Sequence, residues 1–238
     1  MAKIQQYQQQ RQKQESNNIR LDDLITVEPM TDNQNVAFEA WKGGNHLALV
    51  GTAGTGKTFL GIYLALELVM DRSTKFDKLV IVRSIVPTRE VGYLPGTLEE
   101  KLEAYTGPYR QICAHLFQDD KAFDKLKEKG YISFESTSYI RGVTYDNAII
   151  LVDEMQNLNF HELDSIITRV GIDTRIIFSG DYLQSDFVKM SEKQGINVFL
   201  EILEQLKQFD VVHFDWKDIV RSDFVRDYIM TKDFLGIK

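Results

Sequence analysis

With 238 residues, 43% of them apolar, the chain is long enough to bury a sizeable core as one large domain and requires no second one. Its acidic residues outnumber its basic ones by 35 to 28, and the net charge of −7 excludes a surface coated in positive charge for nucleic acid while leaving room for local basic loops. The single cysteine, Cys113, excludes an internal disulfide, and the four histidines His46, His115, His161 and His213 lack metal-ligand spacing. No apolar run approaches the ~20 residues of a membrane span and no secretory leader is visible, so a cytoplasmic protein with no membrane partner is expected.

Residues 1–20 are rich in glutamine, carry Lys3, Arg11, Lys13 and Arg20 against Glu15, and hold too few apolar side chains for a core. They are expected to form a flexible tail, with a nucleic-acid or partner arm as the alternative, and a single folded domain covers 21–238. Residues 31–41 read as a helix with Thr31 or Asp32 as its cap and Val36, Ala37, Ala40 and Trp41 as its buried side. On it, Gln34 offers a donor and an acceptor together, the pair that reads the N6 and N7 edge of adenine; an ordinary surface glutamine is the alternative.

The apolar run at 46–50 reads as a buried parallel strand and 59–70 as a helix. Between them GTAGTGKT fits G-x-x-x-x-G-K-[ST] at Gly51, Gly56, Lys57 and Thr58, in the strand-to-helix context that the pattern requires. A triphosphate must be wrapped by backbone N–H groups, and Gly51, Gly54 and Gly56 can take positive φ with no side chain in the way. Thr52, Ala53, Thr55 and Phe59 complete the nucleotide-binding stretch, and the helix N-terminus adds partial positive charge. Lys57 would reach the β- and γ-phosphates, and the Thr58 hydroxyl would take a position on Mg²⁺. A turn that merely packs tightly needs neither the lysine nor the hydroxyl.

A second strand is expected at 78–84. The stretch 85–130 is long for a connection and reads as a functional insertion, with a turn at 92–96 and an amphipathic helical pattern over 98–116. A third strand at 131–135 leads to a loop carrying Arg141. Residues 147–154 form a buried strand that ends in two carboxylates, where open α/β sheets place their chemistry. Asp153 would hold Mg²⁺ and Glu154 would deprotonate the attacking water; two acids that only favour the next helix's dipole are the alternative. A helix at 161–170 precedes a strand at 174–179 that runs into GDYLQ, where Gln184 could sense the γ-phosphate. A helix at 196–209, a strand at 211–214 and a closing helix at 218–232 with Arg221 and Arg226 complete the chain. This alternation predicts an α/β fold, a parallel β-sheet covered by helices on both faces.

From about Thr31 to Met230 the chain resembles the PhoH-like family of P-loop ATPases, related to the core of superfamily one helicases. The resemblance rests on Asn33-Gln34, GTAGTGKT, VGYLPGTLEEKLEAYTGP, YIRGVTYDNAIILVDEMQN, SGDYLQSD and DIVRSDFV. Two departures stand out: Met155 follows the carboxylates where the family commonly has alanine, and Ser84-Ile85 replaces a proline after Arg83. The resemblance implies one RecA-like P-loop NTPase core binding ATP and Mg²⁺, with Gln34 at the adenine, Asp153 and Glu154 at metal and water, and Gln184 as sensor. It also implies a homo-oligomeric ring, a hexamer. Since superfamily one helicases use two cores and this chain has one, Arg221 would act as an arginine finger in a neighbour's site; a local ion pair with Asp218 is the alternative. The expected activity is ATP hydrolysis applied to RNA or single-stranded DNA, with Arg83, Thr88, Arg89, Tyr93 and Arg141 as candidate contacts. A nucleotide-gated scaffold for a protein partner and a phosphotransferase are the alternatives; Glu154 and Gln184 argue against the latter. The glutamine-rich start and small size suit a phage-encoded member acting in its host's cytoplasm.

Overall fold

The computed structural model describes residues 18–84, 103, 105–137, 140, 142–181 and 190–235. Among the described residues, six parallel strands form one sheet: β1 (His46–Gly51), β2 (Lys78–Arg83), β3 (Ile132–Ser136), β4 (Ala148–Asp153), β5 (Arg175–Gly180) and β6 (Phe209–Phe214), in the spatial order β3-β2-β4-β5-β1-β6. The helices are α1 (Asp32–Lys42), α2 (Lys57–Met70), α3 (Gly107–Phe117), α4 (Ala122–Glu128), α5 (Phe160–Ile167), α6 (Met190–Glu204) and α7 (Asp223–Phe234). Among the described residues no helix is long and apolar enough to cross a membrane.

The strands read as unbroken apolar runs because both faces of the sheet are covered, and their alternation sorts side chains into two cores. Leu47, Leu49, Leu79, Ile81, Ile149, Leu151 and Ile177 point to a layer shared with α1, α2, α3 and α4. Ala48, Val50, Val80, Val82, Ile150, Val152, Ile176 and Phe178 point to the other layer, with Leu163 and Ile166 of α5 and Ile196, Phe199 and Leu203 of α6.

Several elements depart from the sequence reading. Ile19 is only 4% exposed, so the folded part takes in residues assigned to the tail; 1–17 lie outside the described residues. In α1 the buried face is Gln34, Ala37, Phe38 and Trp41, while Val36 is 51% exposed. The spacing i, i+3, i+4, i+7 selects one helical stripe, and the polar Gln34 sits on it. Helix α4 has no counterpart in the reading; its seven residues bury Ala122, Phe123 and Leu126, too few repeats to show a period. Helix α6 spans Met190–Glu204 rather than 196–209, so Gly195 lies inside it. Trp216–Asp218 is a separate 3₁₀ turn capped by Asp215, so α7 starts only at Asp223.

Candidate nucleotide site

Parallel pairing gathers every C-terminal strand end on one rim. Arg83 of β2 stands in register with Asp153 of β4, Val152 with Phe178 of β5, Val50 with Gly180, and Gly51 with Phe214 of β6. The phosphate loop leaves this rim between β1 and α2. Gly51 has φ 123, and a Cβ there would overlap the Phe214 carbonyl, so only glycine allows the loop to start so close to β6. The loop is then held at three points: Thr52 N donates to Phe214 O (3.1 Å), Val220 N to Gly54 O (3.1 Å), and Gln34 Nε2 to Thr55 O (3.1 Å).

Lys57 Nζ is folded back on its own loop, donating to Gly51 O (2.8 Å), Thr52 O (2.7 Å) and Thr55 Oγ1 (3.3 Å). Burial lowers its pKa, and the nearby carboxylates of Asp181, Glu154 and Asp153 oppose that shift. A buried ammonium resting on carbonyl oxygens is a cation for which an entering anion is the stronger partner.

Beside it, Thr58 Oγ1 donates to Asp153 Oδ1 (2.8 Å), and Tyr109 Oη of α3 donates to Asp153 Oδ2 (2.9 Å). Burial pushes the Tyr109 phenol far above its ordinary pKa, reinforced by the charge of Asp153, so it remains a proton donor. A hydroxyl and a carboxylate oxygen form an all-oxygen donor set that fits Mg²⁺. Among the described residues no group of three or more His, Cys, Asp and Glu could hold a metal ion.

Glu154 follows in the left-handed region, φ 53 and ψ 44, uncommon for a residue other than glycine and a form of strain found at functional sites. Its Oε2 accepts from Gln156 Nε2, and Gln156 Oε1 accepts from Asp181 N (3.1 Å), so the ends of β4 and β5 are joined through one amide. A Cβ on Gly180 would overlap Gln156 Oε1 and come within 2.7 Å of Met155 Cγ. Met155 itself is buried in the core layer that α5 and α6 cover.

Lys57, Thr58, Asp153, Glu154 and Gln156 line a cavity of about 780 Å³ together with Val27, Met30, Phe59, Ile112 and His115. Gln34 lies in its wall with both halves of its amide engaged within the protein, since Oε1 accepts from Met30 N (2.8 Å). Arg83 also lines this cavity, with its guanidinium against the Tyr109 phenol and 6.0 Å from the Tyr105 ring. Arg221 lines the cavity of its own chain: a Cβ on Gly54 would lie 3.2 Å from Arg221 Cγ. Asp218 accepts from Asn33 Nδ2 (2.8 Å) and Asp215 N (2.9 Å), which makes it a tie to α1. Gln184, Thr88, Arg89, Tyr93 and Arg141 lie outside the described residues. The sequence reading missed the roles of Tyr109 and Gln156; the latter follows the two carboxylates closely enough to be found, whereas nothing in the spacing marks Tyr109.

A phosphate loop on β1 and a carboxylate pair at the end of β4, separated by β5 in a parallel sheet, define a RecA-like P-loop NTPase. The chain belongs to the PhoH-like protein family, whose family model matches residues 26–232. It is 31% identical over 210 residues to a PhoH-like protein of Bacillus subtilis (88% of this chain, 64% of that protein) and 33% identical over 178 residues to one of Synechocystis (74% and 53%). Protein PhoH of Escherichia coli is 29% identical over 174 residues, 72% of this chain and 48% of that protein. The chain thus spans roughly half to two thirds of the length of these curated relatives. Among solved structures, the large terminase of a thermophilic bacteriophage aligns over 84% of this chain and 50% of its own, with a TM-score of 0.49 and 13% identity.

Proposed function

We propose that the chain binds ATP in this cavity, hydrolyses it with Mg²⁺, and applies the cycle to RNA or single-stranded DNA as a homo-oligomer. The observation that carries this reading is the placement of Glu154 on the same rim as Lys57 and the Thr58–Asp153 pair. Lys57 would exchange its loop carbonyls for β- and γ-phosphate oxygens. Thr58 and Asp153 would hold Mg²⁺, which supplies charge neutralisation at the phosphate oxygens. Glu154, oriented by Gln156, accepts a proton from the attacking water as its oxygen bonds to the γ-phosphorus; the bond to the β-phosphate oxygen breaks, leaving ADP and inorganic phosphate. Gln184 at the end of GDYLQ remains the candidate sensor.

Because Arg83 is drawn into the cavity wall, nucleic-acid contact falls to Thr88, Arg89, Tyr93 and Arg141. A protein partner is the second reading, favoured by Phe224 (81% exposed), Tyr228 and Phe234 (90% exposed) on α7. The test is phosphate release by the purified protein with and without single-stranded RNA and DNA, beside Glu154→Gln. Release that nucleic acid stimulates and Glu154→Gln reduces by about 10²–10⁴ supports the proposal. Equal release with every nucleic acid transfers support to the protein-partner reading. Equal release by Glu154→Gln overturns the assignment of the base.

A further inference from the structure

Helix α3 belongs to the long connection between β2 and β3, and its Ile112 and His115 lie in the wall of the nucleotide cavity. Tyr109, near the start of α3, is nevertheless completely buried, with its ring 5.4 Å from that of Phe134 on β3. Phenylalanine would fill this space equally well, and a hydroxyl taken out of water is unfavourable unless it is bonded. Here the hydroxyl donates to Asp153 Oδ2 at 2.9 Å, while Thr58 Oγ1 donates to Oδ1 at 2.8 Å. The two oxygens of one carboxylate are therefore gripped from two different elements. An aspartate held at one oxygen turns readily about its last torsion, whereas one held at both does not.

The direction of the Tyr109 proton is also set. Arg83, the register neighbour of Asp153 on β2, brings its guanidinium against the same phenol. A guanidinium has only donors and offers the phenol no acceptor, so the Tyr109 proton is left for Asp153.

We propose that Tyr109 is a positioning residue of the divalent-cation site: its hydroxyl fixes Asp153 with Oδ1 turned to Thr58, and so ties α3 to cation binding. This rests on the reading of Thr58 and Asp153 as the place where Mg²⁺ accompanies a nucleotide. Partners that orient a ligating carboxylate change metal affinity by about 10–100-fold when removed, without touching the metal themselves.

The experiment titrates a fluorescent ADP analogue into the full chain, first with chelator and then at increasing Mg²⁺, for wild type and Tyr109→Phe. Thermal melts establish that the variant is folded. Wild-type affinity is expected to rise with Mg²⁺. Tyr109→Phe is expected to keep its metal-free affinity within about twofold and to need about 10–100-fold more Mg²⁺ for half the effect. In an Asp153→Asn background, Tyr109→Phe is expected to add nothing, because its action passes through that carboxylate. Coincident Mg²⁺ titrations, an equal loss with and without metal, or full additivity with Asp153→Asn would each overturn the inference. A wild-type protein whose nucleotide affinity ignores Mg²⁺ overturns instead the site reading beneath it.

Discussion

Lys57 brings a full positive charge into a pocket that conceals it from water, and three loop oxygens are its partners there. Charge-assisted hydrogen bonds contribute about 1.5–3 kcal/mol each, so Lys57→Ala is expected to weaken ADP binding by about 10–100-fold, read by calorimetric titration. Unchanged affinity would separate the loop from phosphate binding. Residues of this kind are legible in the sequence because their relation is covalent and local: Gly51, Lys57 and Thr58 lie within one strand-to-helix turn, and Asp153 ends a recognisable buried run. Tyr109 is not legible, since it reaches Asp153 only through the packing of α3 on the sheet, and a tyrosine in an amphipathic pattern looks the same whether its hydroxyl is used or idle.

Among the elements, α1 is gripped at both ends. At its start, Thr31 caps it and Gln34 holds Thr55; at its end, Trp41 Nε1 donates to Leu64 O of α2 (3.1 Å), and the Arg175 guanidinium lies 3.3 Å from the Trp41 ring centre while donating to Trp41 O and Asn45 O. Burial lowers the Arg175 pKa to about 10, which still leaves it charged at neutral pH to serve the Trp41 carbonyl at the helix end and the Asn45 carbonyl beyond it. Arg175→Met would leave both carbonyls without that donor, and an expected loss of about 2–4 kcal/mol in stability would appear as a lower urea midpoint at unchanged slope. A midpoint equal to wild type would show that α1 needs no such clamp. The strands were readable to within a residue or two because runs covered on both faces are apolar throughout. The face of α1 was not, because Gln34 is a polar side chain on the buried stripe and Val36 an apolar one facing out.

For the molecule as a whole, completion of the site within one chain or between chains turns on Arg221. It lies against Gly54 of its own loop, which supports action within the chain. Mixtures of Arg221→Ala and Lys57→Ala chains are then expected to regain no ATP turnover; recovery would show instead that the arginine crosses to a neighbour. The cradle that Arg221 approaches is anchored by distant partners, since Thr52 is tied to Phe214 and Gly54 to Val220, near the other end of the chain. Domains form as the ribosome extends them, at about 5–20 residues per second, so the glycine loop emerges many seconds before the strand that must shape it. A nascent chain halted ahead of β6 would display the whole GTAGTGKT motif without its contacts to Phe214 and Val220, and nucleotide binding would then be a late event of synthesis, a report that translation has passed β6.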